Sequence, residues 1–167
     1  MSDERLDVQQ VVSRFFIEMD RFDWDAISTV IDDEITLIAG AFVKSEPAPT
    51  SRDQFIHELI ARNGGFSLEG SGSYHGNGGH VIDVRGEDAF VRAHMFGSHW
   101  VGPTAQDEFH SFGIYELALR RSAAGWRIRR LAIIPLRNEG ADPTSIMERA
   151  RIAWQSAKGE SHRDEVA

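Results

Sequence analysis

The feature that most constrains this fold is a series of long apolar strand segments in the second half of the chain. Short runs of turn residues separate the segments, and such turns predict antiparallel neighbours. Strands of this length with few polar interruptions favour a strongly bent sheet. The predicted strands cover residues 80–84 together with 89–101, then 108–121, and then 125–135.

Helical segments precede these strands. Apolar residues recur at helical spacing over residues 5–21, which predicts an amphipathic helix. Asp23 is suited to cap a short second helix, and Ser51 with Gln54 forms a capping box before a third. Helices followed by antiparallel strands predict an α+β fold, in which the bent sheet wraps around the N-terminal helices and leaves a cavity. The remaining predictions are the short helix at 24–31, a strand at 35–43, an irregular glycine-rich segment at 65–79 and a last helix at about 142–158.

Composition limits the classes of function. The 167 residues suffice for a single domain, 1–167, with its core over about 5–136. A net charge of −8 gives no gain from counterion release, so nucleic acid is excluded as a partner. The chain has no cysteine, which excludes disulfides and thiolate catalysis. A polar, acidic N-terminus and the lack of an apolar run of roughly 18 residues predict a cytoplasmic protein with no membrane contact.

The alternation of side chains along a strand predicts which histidines face the cavity. Between residues 89 and 101 the odd positions are small or apolar and should point inward. His99 then lies on the inner face of the sheet and His94 on the outer face. Along the following strand both faces contain apolar residues, so its inward face stays open.

Three polar side chains are expected to converge on the cavity: Asp20 from the end of the first helix, His75 from the glycine-rich segment, and His99. Asp20 is unexpected on helix stability alone, because the C-terminal end of a helix disfavours an anion. A carboxylate fixes the tautomer of an imidazole, and a second imidazole can relay the proton. The alternatives are an exposed Asp20, a solvated His75 and a structural His99. No HxH or HExxH pairing supports a metal site.

Three segments together resemble a known family: MDRFDWDAISTVIDDEITL, YHGNGGHVIDVRGEDAFVRAHMFGSHW and FGIYELALRRSAAGWRIRRL. Over roughly residues 5–136 they are similar to SnoaL-like proteins of the nuclear transport factor 2-like superfamily. The resemblance implies a cone-shaped α+β barrel with its pocket inside the cone. It also implies a homodimer or homotrimer formed through the outer face of the sheet. Activities within the family vary, so the fold alone does not select one.

The scytalone dehydratase and bile-acid dehydratase branch is the most similar in its site residues. The resemblance implies that His99 removes a proton next to a carbonyl, that Asp20 orients His99, and that His75 assists the leaving hydroxyl. It implies neither a cofactor nor a metal. Tyr115, Met19, Phe16 and Met95 are the expected substrate-binding residues.

The chain departs from that branch at two tyrosine positions, where Met19 and Gly40 or a neighbour stand instead. Loss of such a donor costs a developing enolate about 3–4 kcal/mol, a loss that Tyr115 offsets if it faces inward. The first hypothesis is a lyase that eliminates water from a hydrophobic cyclic molecule without a metal. The second is a non-catalytic binding or assembly module, and the third is a cyclase, isomerase or hydrolase that uses the same pocket.

Overall fold

The computed structural model describes residues 3–39 and 47–164. Helices and strands follow the order predicted from the sequence, with helices first and the long strands after them. The helices are α1 (Glu4–Arg21), α2 (Trp24–Ser28), α3 (Arg52–Asn63) and α4 (Pro143–Asp164), with a 3-10 turn at Gly64–Ser67. The strands are β1 (Ile31–Ile38), β2 (Pro49–Ser51), β3 (Gly72–Arg85), β4 (Asp88–Trp100), β5 (Glu108–Ser122) and β6 (Gly125–Gly140).

The described strands form one six-stranded sheet in the order β2-β1-β6-β5-β4-β3. All neighbours pair antiparallel except β1 and β6, which are parallel, so the sheet is mixed. The α+β class and the curled sheet around the N-terminal helices are confirmed. β3 and β4 lie at one edge of the sheet, and their inner faces oppose α1.

Helix α1 forms because its ends are capped and one face is apolar. Asp3 accepts a hydrogen bond from the backbone N–H of Arg5 at the start, and Phe22 takes the left-handed conformation (φ 56°) at the end. The buried stripe packs into the concave face of the sheet, and this brings the last turn of α1 next to β3. The residues of that stripe are Val8, Val12, Phe15, Phe16 and Met19.

The predicted alternation along β4 is confirmed. Its odd positions from Ala89 to His99 are buried, whereas Arg92 and His94 are exposed. The face left open for the next strand is resolved by register: Ala93 pairs with Tyr115 and His99 pairs with Phe109. The odd residues of β5 therefore also point inward.

The glycine-rich segment was predicted to be irregular, and that prediction is wrong from residue 72 onward. Residues 72–85 form β3, which pairs along its length with β4. Pairing with a long neighbouring strand outweighs the weak strand propensity of glycine. Glycine is required at position 72 for a steric reason, because a Cβ atom there would lie 2.1 Å from the ring of Trp100.

Three boundaries also differ from the predictions. Helix α2 ends at Ser28, because Val30 already accepts a sheet hydrogen bond from the N–H of Ile128. Strand β1 therefore begins at Ile31, and the predicted continuation over 40–43, with Gly40, lies outside the described residues. Strand β6 continues past Pro135 to Gly140, since the register shift beside Gly113 accommodates the proline.

The N-caps predicted at Asp23 and Ser51 are confirmed, whereas the Gln54 side chain of the predicted capping box donates to Glu58. Asp23 accepts from the N–H of Ala26 at 2.9 Å, and Ser51 accepts from the N–H of Gln54 at 3.3 Å. Pro143 is the first residue of α4, which runs further than the predicted end at 158. Among the residues that the structure describes, no helix has a long enough apolar stretch to cross a membrane.

Candidate active site

A cavity of about 120 Å³ lies between the concave face of the sheet and helices α1 and α3. Its wall is mostly apolar, as expected for a site that binds a small hydrophobic molecule. The structure places all four predicted substrate-binding residues in this wall: Phe16, Met19, Met95 and Tyr115. His75 and His99 line it as well, whereas Asp20 lies behind His75.

Asp20 accepts hydrogen bonds from three groups of β3. Its Oδ2 accepts from the backbone N–H of His75 at 2.8 Å, and its Oδ1 lies 2.7 Å from Nδ1 of the same residue. The hydroxyl of Ser73 donates to Oδ1 at 3.3 Å. These donors explain how a carboxylate is tolerated at the negative end of α1.

The contact with Asp20 sets the orientation and the tautomer of His75. A carboxylate only accepts, so Nδ1 of His75 carries the proton in this pair. Nε2 is then the basic nitrogen of the neutral ring. The side chains of His75 and Asp20 are 13% and 20% exposed, so the pair is shielded from water although not sealed from it.

His99 has a different environment. Its ring is stacked on Phe109 at 4.9 Å between centroids and receives the edge of Phe66 at 5.0 Å. Nδ1 is buried, with no hydrogen-bond partner among the described residues. Burial lowers the pKa of His99 well below its ordinary value of 6.5, and a positive charge on His75 lowers it further. His99 is therefore neutral at neutral pH.

The predicted pairing of Asp20 with His99 is wrong, because the imidazole bonded to Asp20 belongs to His75. The two histidine rings are nearly perpendicular, with centroids 4.9 Å apart. The reason is the position of β3, which was expected to be irregular. Since it is an edge strand, Ser73 and His75 face the end of α1, while His99 lies one strand further in.

Tyr115 lies on the inner face of β5, as the register requires. Its ring stacks on Phe16 at 4.3 Å. Burial raises the pKa of the Tyr115 hydroxyl, and the negative charge of Asp20 raises it further. The hydroxyl therefore stays protonated and is available as a hydrogen-bond donor.

Sequence analysis missed several cavity residues. Ser111 on β5 is buried and donates to the side chain of Asn138 at 2.6 Å. The alternation along β5 contained this signal, but the inward face was undecided from the sequence. Met147 of α4 also lines the cavity, and nothing local in the sequence indicates that α4 returns to this end of the sheet.

The other strand histidines lie away from the cavity. Nε2 of His80 is 2.8 Å from the side-chain oxygen of Asn77, and Nδ1 of His110 is 3.0 Å from the Ser98 hydroxyl. His94 is exposed on the outer face. Within residues 3–39 and 47–164, no three His, Cys, Asp or Glu side chains are grouped to bind a metal ion.

Comparisons with known proteins agree with this architecture. The family model of the SnoaL-like domain matches residues 1–132. A protein of Kribbella flavida superposes with a TM-score of 0.76 and 22% identity, over 87% of this chain and 97% of that one. A proposed scytalone dehydratase of Novosphingobium aromaticivorans superposes with a TM-score of 0.67 and 18% identity, over 86% of this chain and 97% of that one. A nuclear transport factor 2-like protein with a cystatin-like fold, from the same organism, superposes with a TM-score of 0.63 and 19% identity. The match covers 89% of this chain and 88% of that one. Among curated proteins, no sequence matches.

Proposed function

The chain belongs to the SnoaL-like family, and from this premise we propose that it is a lyase that eliminates water from a hydrophobic cyclic molecule. The observation that carries the proposal is the Asp20–His75 pair at the wall of an apolar cavity. A carboxylate-bound imidazole next to a water-poor pocket is a suitable general base. The similarity to a proposed scytalone dehydratase supports the same reaction class.

His75 is assigned the proton transfers. Nε2 takes the proton from the carbon next to a carbonyl, and Asp20 stabilises the resulting imidazolium. The electrons of that C–H bond pass into an enolate, whose collapse forms the new C=C bond and breaks the C–O bond to the leaving hydroxyl. The proton on Nε2 passes to the departing oxygen, which leaves as water and restores neutral His75. The step needs no oxidant or reductant.

His99 is assigned the stabilisation of negative charge. Because its lowered pKa keeps the ring neutral, His99 is not a competing cation beside protonated His75. Because Nδ1 is buried and has no partner among the described residues, the tautomer that carries its proton on Nε2 avoids a buried Nδ1–H group without an acceptor. A neutral imidazole donor then serves the developing oxyanion, as does the protonated hydroxyl of Tyr115. The proton abstraction that the family resemblance implies for His99 is here assigned to His75, which also protonates the leaving hydroxyl.

A second candidate function is small-molecule binding without catalysis. Met19 supports it, since this side chain lines the cavity where the dehydratase branch has a tyrosine hydroxyl. This candidate is favoured if the wild type binds a ligand without turnover and the Asp20 and His75 variants bind it equally well. A cyclase, isomerase or hydrolase is distinguished by a product that has not lost water.

Family membership also supports a homodimer or homotrimer formed through the outer face of the sheet. That face exposes a group of apolar side chains on adjacent strands. Exposed apolar patches of this kind are typical of interaction sites. Its members are Phe112 on β5 and Ile134 and Leu136 on β6.

The test is a screen of hydroxylated cyclic ketones with the wild type, Asp20→Asn and His75→Gln, and with His94→Gln as the matched control. His94 is an exposed histidine on the outer face, so its variant should retain full activity. We expect elimination by the wild type and the control, and a large loss in the two site variants. Equal turnover in all four proteins would remove the assignment.

A further inference from the structure

Helix α4 contributes to a small core at the end of the cavity where His99 lies. Phe66 and Phe109 pack there with Ile146 and Ala150 of α4, and all four side chains are at most 1% exposed. α4 lies beyond residues 1–132, which the family model matches. This core is therefore built partly from a segment outside the residues that the family model matches.

The two aromatic residues of that core are the ones that hold the His99 ring. Phe109 stacks on it with an interplanar angle of 8°, and Phe66 meets it edge-on at 61°. Since Nδ1 of His99 has no hydrogen-bond partner in the described part of the chain, ring packing rather than hydrogen bonding at Nδ1 fixes its orientation. Displacement of either aromatic ring would release the imidazole.

The position of α4 is fixed by close backbone contact with the 3-10 turn. A Cβ atom at Gly65 would lie 1.9 Å from the backbone oxygen of Ala150, so only glycine allows this approach. Next to Ala150, Arg149 pairs with Asp107 at 2.7 Å and donates to the Val101 carbonyl at 3.4 Å. These contacts tie α4 to the turn before Phe66 and to the loop that follows β4.

We propose that Ile146 is a positioning residue for His99: from α4 it holds Phe66 and Phe109 against the imidazole. Met147, the next residue, lines the cavity, so the same turn of helix also bounds the space for substrate. The effect of Ile146 on catalysis rests on the proposed function, whereas its effect on the packing of His99 does not. The packing of His99 can be measured in the absence of any substrate.

The electrostatic surroundings allow a clear measurement. Among the described residues, the charge that acts on His99 is that of His75 on β3, which is paired with Asp20 of α1. The Tyr115 hydroxyl and the guanidinium of Arg62 on α3 also line the cavity. On α4 the charged residue next to this core is Arg149, which is paired with Asp107. A substitution at Ile146 therefore changes packing around His99 without changing a charge near it.

The experiment is a histidine NMR titration of Ile146→Ala, Ile146→Val and the matched control Ile152→Ala, which alters an exposed isoleucine of the same helix. We expect the pKa of His99 to rise toward 6.5 in Ile146→Ala, to rise less in Ile146→Val, and to stay unchanged in Ile152→Ala. Ile146→Val retains most of the side chain, and it supplies the test if the alanine variant does not fold.

An unchanged His99 titration in a folded Ile146 variant would overturn the proposal, as would an equal shift in Ile152→Ala. A shift of the His99 pKa in the expected order would support the positioning role whether or not turnover is found. If the substrate screen shows no turnover, that result counts against the lyase alone. If turnover is found, Ile146→Ala should lower kcat more than it raises KM.

Discussion

His75 and His99 lie at the same cavity, with ring centroids 4.9 Å apart, yet the protein treats them in opposite ways. His75 is bonded through Nδ1 to a carboxylate and is held by the last turn of α1. His99 is enclosed by two phenylalanine rings, and its buried Nδ1 has no partner within the described residues. His75 has a carboxylate partner that can balance a positive charge, whereas burial keeps His99 neutral.

The difference shows how two copies of one residue type acquire separate tasks. A carboxylate next to an imidazole stabilises its protonated form, whereas burial in apolar surroundings stabilises the neutral form. Groups whose environments separate their titration behaviour are the usual components of an acid–base site. Substitutions that exchange or remove these environments should therefore have unequal effects on catalysis and on stability.

Among the groups that support the base His75, the largest effect is expected at the carboxylate of Asp20. Asp20→Asn keeps the size of the side chain but removes the charge that stabilises protonated His75. We expect kcat/KM to fall by about 10²–10⁴-fold, the usual contribution of general acid–base catalysis. Steady-state kinetics on the substrate found in the screen measures this, with His94→Gln alongside. A loss below tenfold would mean that His75 works without Asp20.

Removal of His99 should have the next largest effect on activity. His99→Leu deletes the donor that we assign to the developing oxyanion, and a loss of about 10²–10³ in kcat is expected. KM should change little, because the apolar wall around the residue is kept. A larger loss than in His75→Gln would contradict the assigned roles and would favour His99 as the base.

Burial of His99 should make stability depend on pH in the acid range. In the native state its pKa lies well below 6.5, so below pH 6.5 the unfolded chain binds a proton that the folded chain does not. The sign of this linkage is that stability rises with pH up to about 6.5 and is lost as the pH falls toward the native pKa.

Urea denaturation from pH 5 to pH 8 tests this sign. The wild type should lose more stability than His99→Leu between pH 6.5 and pH 5. His94→Gln, which removes an exposed histidine, should follow the wild type. Parallel curves for the wild type and His99→Leu would show that burial does not hold His99 neutral.

A smaller effect is expected at Tyr115. Tyr115→Phe keeps the ring that stacks on Phe16 and removes only the buried hydroxyl. Activity should fall by about tenfold, equivalent to the loss of one hydrogen bond to the substrate. Circular dichroism should be unchanged. Wild-type activity in this variant would show that the hydroxyl does not touch the substrate and does not replace the missing tyrosines.

The smallest effect on catalysis is expected on the outer face of the sheet. Phe112→Glu places a charge in the exposed apolar patch and should convert the proposed homo-oligomer to monomers in light scattering. Both site histidines lie on the inner face, so activity per chain should be retained. A monomeric wild type would contradict the homo-oligomer that family membership supports.

The fold could be predicted from local patterns because those patterns agree with each other. The helical spacing in α1, the cap at Asp23 and the alternation along β4 each concern neighbouring residues. The strand at Gly72–Arg85 could not be predicted in the same way, because its stability comes from pairing with β4 rather than from its own glycines.

The site shows the same limit. Sequence patterns identified Asp20, His75 and His99 as partners but connected the carboxylate to the wrong ring, since the pairing depends on which strand is at the edge of the sheet. The rings around His99 come from the 3-10 turn and from β5, and α4 closes over them. Contacts between such distant segments leave no local signal in the chain.

The most direct test of the account is a long-range ¹H–¹⁵N NMR spectrum of the imidazoles in the wild type and in Asp20→Asn. We predict that wild-type His75 carries its proton on Nδ1, that Asp20→Asn disturbs this tautomer, and that His99 stays neutral well below pH 6.5 in both proteins. Titration of wild-type His99 near 6.5, or a response to Asp20→Asn at His99 with His75 unchanged, would contradict it.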